Sequence, residues 1–187
     1  MTAPDPIRLR VVAIAATSLD GKITRHNDPG TAFTSKADKA YFQTALTEFD
    51  CSIMGRKTFA ASQKFILSHL TEKRLRVVMT RDPEAFAEFE QPGILEFTDA
   101  SPNQLLESLG QRGYSNCAHL GGSDAYTKFQ AANLIDEWWL TIEPRLFATG
   151  RPIINQQMDV SMRLISAETL CAGDTLLAKY AVEDVKH

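Results

Sequence analysis

Short, almost continuous apolar runs recur along the chain with helix-like stretches between them, and this alternation constrains the fold more than any other feature of the sequence. RVVAIAATS, CSIMG, RVVMT, ILEFT, CAHLGG and EWWLTIEPRLF are too unbroken to be half-solvated strands, so they predict strands covered on both faces. Between them, SKADKAYFQTALTEF carries Phe42, Ala45 and Phe49 at helical spacing. SPNQLLESLGQRG offers Ser101 as N-cap, Pro102 at the first helical position, Gln104 to complete a capping box and Gly113 as the stop. The tail, MRLISAETL and TLLAKYAVEDV around a Gly-Asp turn, reads as an antiparallel hairpin. The expected fold is α/β: a mixed, mostly parallel sheet closed by a C-terminal antiparallel hairpin, with helices on both faces.

A length of 187 residues with 44% hydrophobic content suits one core, so residues 1–187 are read as a single domain. The formal charge of −3, with lysines and arginines scattered, provides no basic field for nucleic acid. The N-terminus lacks the apolar segment of a signal peptide, and no run is long enough to span a bilayer; the expectation is a cytoplasmic protein. Cys51, Cys117 and Cys171 have no CxxC spacing, and the first two lie in apolar runs, as buried small hydrophobes do. His26, His69, His119 and His187 show no ligand spacing either, so a metal-free site is expected.

Three strand ends carry the chemistry. In CSIMGRKTF the strand stops at Gly55, and Arg56, Lys57 and Thr58 follow where a helix begins; free N–H groups, the helix dipole and a guanidinium would together hold an anion. Taken alone, this stretch fits a solvated turn equally well. RVVMTRD repeats the arrangement with Thr80 and Arg81, and HLGGSDAYTKF does so with Gly121 and Gly122, which bring no Cβ to keep a pyrophosphate from the backbone. Ser123 is placed to cap a helix starting at Asp124. Asp38, three residues after Ser35, is either the acid of a capping arrangement or a carboxylate on the helix's apolar face, aimed at a core or a cleft. SLDGKI, with Asp20 and Lys22, opens a long polar loop that suits a lid, an irregular hairpin being the plainer reading. Trp138 and Trp139 must face opposite sides of their strand; burial of both in a covered sheet is expected, and an exposed one would mark a subunit interface.

Together these stretches resemble the dihydrofolate reductase superfamily, and most closely the reductase domain of the bifunctional riboflavin-biosynthesis deaminase-reductase. SLDGKI, GRKTF, VVMTRDP, LGGSDAY, LIDEWWLTIEPRLFATGRPII and a closing LLAKYAV follow the family's order over nearly the whole chain. The resemblance implies NADPH as cofactor, with Gly55 among the residues that bind it and Arg56, Arg81 and Thr80 near the adenosine 2′-phosphate. It places Thr58, Gly121, Gly122 and Ser123 at the pyrophosphate and Tyr126 near the nicotinamide. It implies a small-molecule substrate like the ribosylaminopyrimidine of riboflavin synthesis, reduced at the opened ribose, with a pterin such as dihydrofolate as the alternative and a nucleotide-binding protein without turnover as a further one. Asp38 would hold the pyrimidine, Asp20 and Lys22 would meet the sugar or aid protonation, and Arg74 would meet a substrate anion. A homodimer is expected on the same ground. The sequence departs from the family in two places. No tryptophan precedes Asp38, Phe33 being the nearest aromatic, and AASQKF stands where riboflavin-pathway reductases carry an Asp-Pro pair. The HxE and PCxxC signature of a zinc deaminase is absent.

Overall fold

A computed structural model describes residues 8–170 and 173–183; Cys171, His187 and the first seven residues of the N-terminus lie outside the described residues. The elements run β1 (Arg10–Ser18), α1 (Lys36–Ala45), β2 (Cys51–Gly55), α2 (Arg56–Ser68), β3 (Leu75–Met79), β4 (Leu95–Thr98), α3 (Pro102–Gln111), β5 (Asn116–His119), α4 (Ser123–Ala131), β6 (Glu137–Glu143), β7 (Met162–Thr169) and β8 (Leu176–Val182). They form one eight-stranded sheet in the order β4-β3-β2-β5-β1-β6-β8-β7. Strands β1 to β6 run parallel to one another, while β8 pairs antiparallel with β6 and with β7. The mixed sheet and its terminal hairpin are those read from the runs.

Each strand's alternation divides the core into two layers. Val11, Ala13, Ile53 and Val77 face α3 and α4, where Leu105, Leu109 and Phe129 are buried. Val12, Ile14 and Trp139 face α1, and Met54 and Val78 face Phe59 and Ile66 of α2. Both tryptophans are buried, Trp138 donating to Gln130 Oε1 and Trp139 to Glu137 Oε2, each at 2.8 Å. Cys51 and Cys117 are paired across the β2–β5 ladder, buried and free of any disulfide. The capping box at Ser101 forms with Pro102 in the first turn, and Gly113 takes φ +88° just past α3.

The topology sets the site. From the adjacent strands β2 and β5, α2 departs to one face of the sheet and α4 to the other. In open α/β sheets such a switch point, at the carboxyl ends of the strands, is where ligands bind.

Candidate active site

Helices α1 and α3 begin with serine caps, Ser35 Oγ accepting from Asp38 N and Ser101 Oγ from Gln104 N. By contrast, α2 and α4 begin after Gly55 and Gly122 with no side-chain cap. Ala125 N donates to Gly122 O at 2.9 Å, and the first-turn N–H groups without such a bond are left to a ligand or to water. The two starts adjoin: Gly55 N donates to Gly121 O at 2.6 Å, and a Cβ on Gly122 would stand 3.2 Å from Thr58 Oγ1. Gly121 has φ +78°, and a Cβ there would fall within the Tyr126 ring. The expected capping role of Ser123 is not what the structure shows. Ser123 is the first residue of α4 rather than its cap, and its hydroxyl is buried without a hydrogen-bond partner.

A cleft of about 2660 Å³ opens over this point. Small-ligand pockets hold roughly 300–1000 Å³, so the cleft has room for a dinucleotide and a second molecule. Arg56, Thr58, Thr80 and Arg81 line it, as do Gly55, Gly122 and Ser123. Both arginines are exposed, and among the described residues neither joins an ion pair. Thr80 Oγ1 accepts from Asp82 N at 3.3 Å, fixing the turn that presents Arg81. Tyr126 forms floor rather than rim: it is 2% exposed, and its hydroxyl donates to Ile14 O.

Asp38 lines the same cleft from α1. Its backbone N–H, not its carboxylate, takes part in the cap, and Ser35 N donates instead to Glu143 Oε1 at 2.8 Å. Asp38 Oδ1 accepts from Thr141 Oγ1 at 2.5 Å. Burial raises the Asp38 pKa above the ordinary carboxylate range; the Thr141 hydrogen bond opposes the rise, and the nearby Glu143 adds to it. The carboxyl thus stands at the edge of the cleft with burial working against its ionised form.

Thr141, Glu143 and His119 make contacts with the candidate site residues that the motifs did not reveal. Thr141 and Glu143 share one face of β6 with Trp139, the face toward α1, and polar residues alternating on an otherwise apolar strand were the available signal. Glu143 is 3% exposed and accepts also from Thr175 Oγ1 at 3.1 Å, so it ties β6 to the start of the helix that bears Asp38. His119 is wholly buried; burial lowers its pKa to about 3 and keeps the ring neutral. Its Nδ1 accepts from Gly121 N at 3.1 Å, which fixes the Gly-Gly turn.

Three expected site residues lie elsewhere. Arg74 precedes β3 and therefore sits at the amino ends of the strands, away from the cleft; its guanidinium is largely buried and donates to Leu46 O at 2.8 Å. Asp20 and Lys22 do not line the cleft either. The Lys22 backbone bridges Pro152, and Asp20 accepts from Ser18 Oγ at 2.6 Å and from the amides of Phe147 and Ala148 at 3.1 and 2.8 Å. The SLDGKI segment is thus clasped to the loop after β6, while the segment after it, including Asn27 and Thr31, lines the cleft. These hydrogen bonds, Ser18 first, lower the Asp20 pKa. The clasp is therefore fully present above the ordinary carboxylate pKa and weakens only as pH falls through the lowered one. In Asp20→Asn, amide hydrogen exchange at Phe147 and Ala148 is expected to quicken at neutral pH, and unchanged protection would show that the clasp does not hold the loop.

Among the described residues no group of three or more His, Cys, Asp or Glu is placed to hold a metal, and no helix is long and apolar enough to cross a membrane. The fold and cleft together define the dihydrofolate reductase-like class. A pyrimidine reductase-like protein from Corynebacterium diphtheriae superposes with a TM-score of 0.72 at 14% identity, covering 97% of this chain and 96% of that one. Dihydrofolate reductase from Enterococcus faecalis, complexed with NADP(H), does so at 0.70 and 14%, covering 95% and 99%. The Thermotoga maritima diaminohydroxyphosphoribosylaminopyrimidine deaminase/5-amino-6-(5-phosphoribosylamino)uracil reductase gives 0.76 at 16%, covering 94% of this chain but only 57% of that longer one. No curated protein sequence matches the chain. The model of the RibD C-terminal domain matches residues 10–176, and the chain belongs to that family.

Proposed function

We propose that this protein is an NADPH-dependent reductase that delivers hydride to the opened ribose C1 of a 5-amino-6-(5-phosphoribosylamino)uracil-like substrate. The observation that carries the cofactor is the buried, partnerless Ser123 hydroxyl set between two uncapped helix starts. A pyrophosphate supplies acceptors for those N–H groups and that hydroxyl. Arg56 and Arg81, exposed at the cleft wall, suit the additional phosphate that separates NADPH from NADH. The RibD family and the names of the similar structures support reductase chemistry on a ribosylaminopyrimidine.

When bound, the cofactor supplies a hydride. The chain's own residues do the rest. Asp38, steadied by Thr141, accepts hydrogen bonds from pyrimidine N–H groups. Burial, by favouring its neutral form, suits it to pass a proton to the nitrogen or oxygen that becomes basic as carbon is reduced. Tyr126, beneath the Gly-Gly turn, closes the floor and keeps water from the reacting face. Reduction of dihydrofolate or another pterin is the second reading, favoured by the buried Asp38–Thr141 pair, which suits any ring presenting adjacent N–H donors.

Arg56→Ala tests the cofactor assignment. Loss of a charge-assisted phosphate contact costs about 1.5–3 kcal/mol, roughly 10- to 150-fold in NADPH affinity, with NADH binding nearly unmoved. Equal weakening of both cofactors in a fluorescence titration would remove Arg56 from the 2′-phosphate.

A further inference from the structure

A buried hydroxyl beside Asp38 has no partner in the fold. Thr34 stands just before Ser35, the cap of α1, and its own amide donates to Thr31 O at 3.1 Å, which fixes it in a turn. It lines the cleft although it is only 6% exposed, and among the described residues its Oγ1 is buried without a hydrogen-bond partner. The hydroxyl lies close enough to the Asp38 carboxyl to ease its ionisation, but it completes no hydrogen bond there. A buried hydroxyl in that state costs stability unless a ligand satisfies it.

Its neighbours decide which ligand group would do so. Thr141 donates its hydroxyl hydrogen to Asp38 Oδ1, which leaves Oδ2 to accept from a ligand. Ser35 Oγ is committed as well, accepting from Asp38 N at 3.1 Å and lying 3.0 Å from Thr175 Oγ1. Thr34, by contrast, keeps a hydrogen that no group of the described residues accepts. A hydroxyl donor calls for a carbonyl oxygen, and a carboxylate oxygen calls for an N–H. Side by side, the two match a ring edge on which N–H adjoins C=O, the edge of a cyclic imide such as a pyrimidinedione. A ring edge of two donors, an N–H beside an amino group, would satisfy Asp38 and leave the Thr34 hydroxyl buried and unpaired.

We infer that Thr34 is a substrate-binding residue, donating to the ring carbonyl next to the N–H that Asp38 holds, and that it favours pyrimidinediones over rings presenting two adjacent donors. The inference rests on the reading of Asp38 as the ring anchor given above, and it adds the donor that tells the two ring classes apart.

NMR titration of the full chain with 5,6-diaminouracil and, separately, with 2,4-diaminopyrimidine reads ring binding without cofactor or turnover. Thr34→Val keeps the shape and removes the hydroxyl. It is expected to weaken the dione roughly 5-fold or more, as a buried carbonyl left unpaired implies, and to leave the diamine unchanged, which also shows that the variant folds. Thr34→Ser, which restores a hydroxyl, is expected to bind both rings like the parent, and Asp38→Asn to weaken both. Thr34→Val weakening both rings equally, or neither while Asp38→Asn weakens both, would overturn the inference and leave Asp38 as the anchor. A parent that binds only the diamine would overturn it too, and one that binds neither ring would overturn it together with the anchor. Thr34-dependent binding of the dione by a chain that never oxidises NADPH would uphold the inference and remove only the reductase reading.

Discussion

Asp38→Asn is expected to lower kcat/KM by about 10²-fold or more and to leave NADPH affinity unchanged, because the residue lies on α1 and the cofactor cradle on α2 and α4. Asparagine keeps the size and one acceptor for Thr141 but loses the charge and the transferable proton. The limb set by the raised Asp38 pKa should vanish from the pH profile. The same change has a second, opposite readout. The folded-state pKa of Asp38 is raised, so the ionised carboxylate costs stability at neutral pH, and that cost disappears below the unfolded value of 3.8. The variant should therefore melt higher at pH 7, by roughly 2–4 °C for each kcal/mol relieved, and the gain should vanish in acid. Full activity with unaltered melting would show that the carboxyl neither meets substrate nor bears a burial cost.

Gly121→Ala should be strongly damaging for a single added methyl. The left-handed φ of +78° already disfavours alanine, and its Cβ would enter the Tyr126 ring. Tyr126 cannot step aside: it is buried, hydrogen-bonded to Ile14 O and stacked at 5.0 Å on His119, which itself holds Gly121 N. Overpacking of this kind costs about 1–3 kcal/mol or more, and relief by moving the Gly-Gly turn would displace the start of α4. Lowered melting together with loss of NADPH binding is expected. A variant that binds NADPH like the parent would show that the turn does not form the cradle.

Much of this site is written locally. Gly55 ends β2, α2 starts at Arg56, and the alternation of strands and helices carried the sheet and its hairpin. What escaped the sequence was contact between distant residues. Asp38 and Thr141 meet across 103 positions, and Ser35 and Glu143 across 108, so only the fold reveals that Asp38 turns to the cleft while Glu143 takes the amide a capping acid would have claimed. Asp20 reads as part of a lid because its partners, Phe147 and Ala148, lie in a different loop. Arg74 is misplaced by the sequence for a simpler reason: it precedes its strand, and ligands of such sheets gather at the carboxyl ends. Ser123 shifts by one position because the backbone of Gly122 supplies the cap conformation, which frees the hydroxyl rather than using it.

The central claim is that the junction of the α2 and α4 starts binds a phosphorylated dinucleotide. Titration of the purified protein with NADPH and, separately, with NADH, followed by nicotinamide fluorescence, tests it most directly. Saturable binding with NADPH roughly 10- to 150-fold the tighter, as one charge-assisted phosphate contact implies, is the predicted result. No saturable binding of either, or equal affinity for both, would contradict the account.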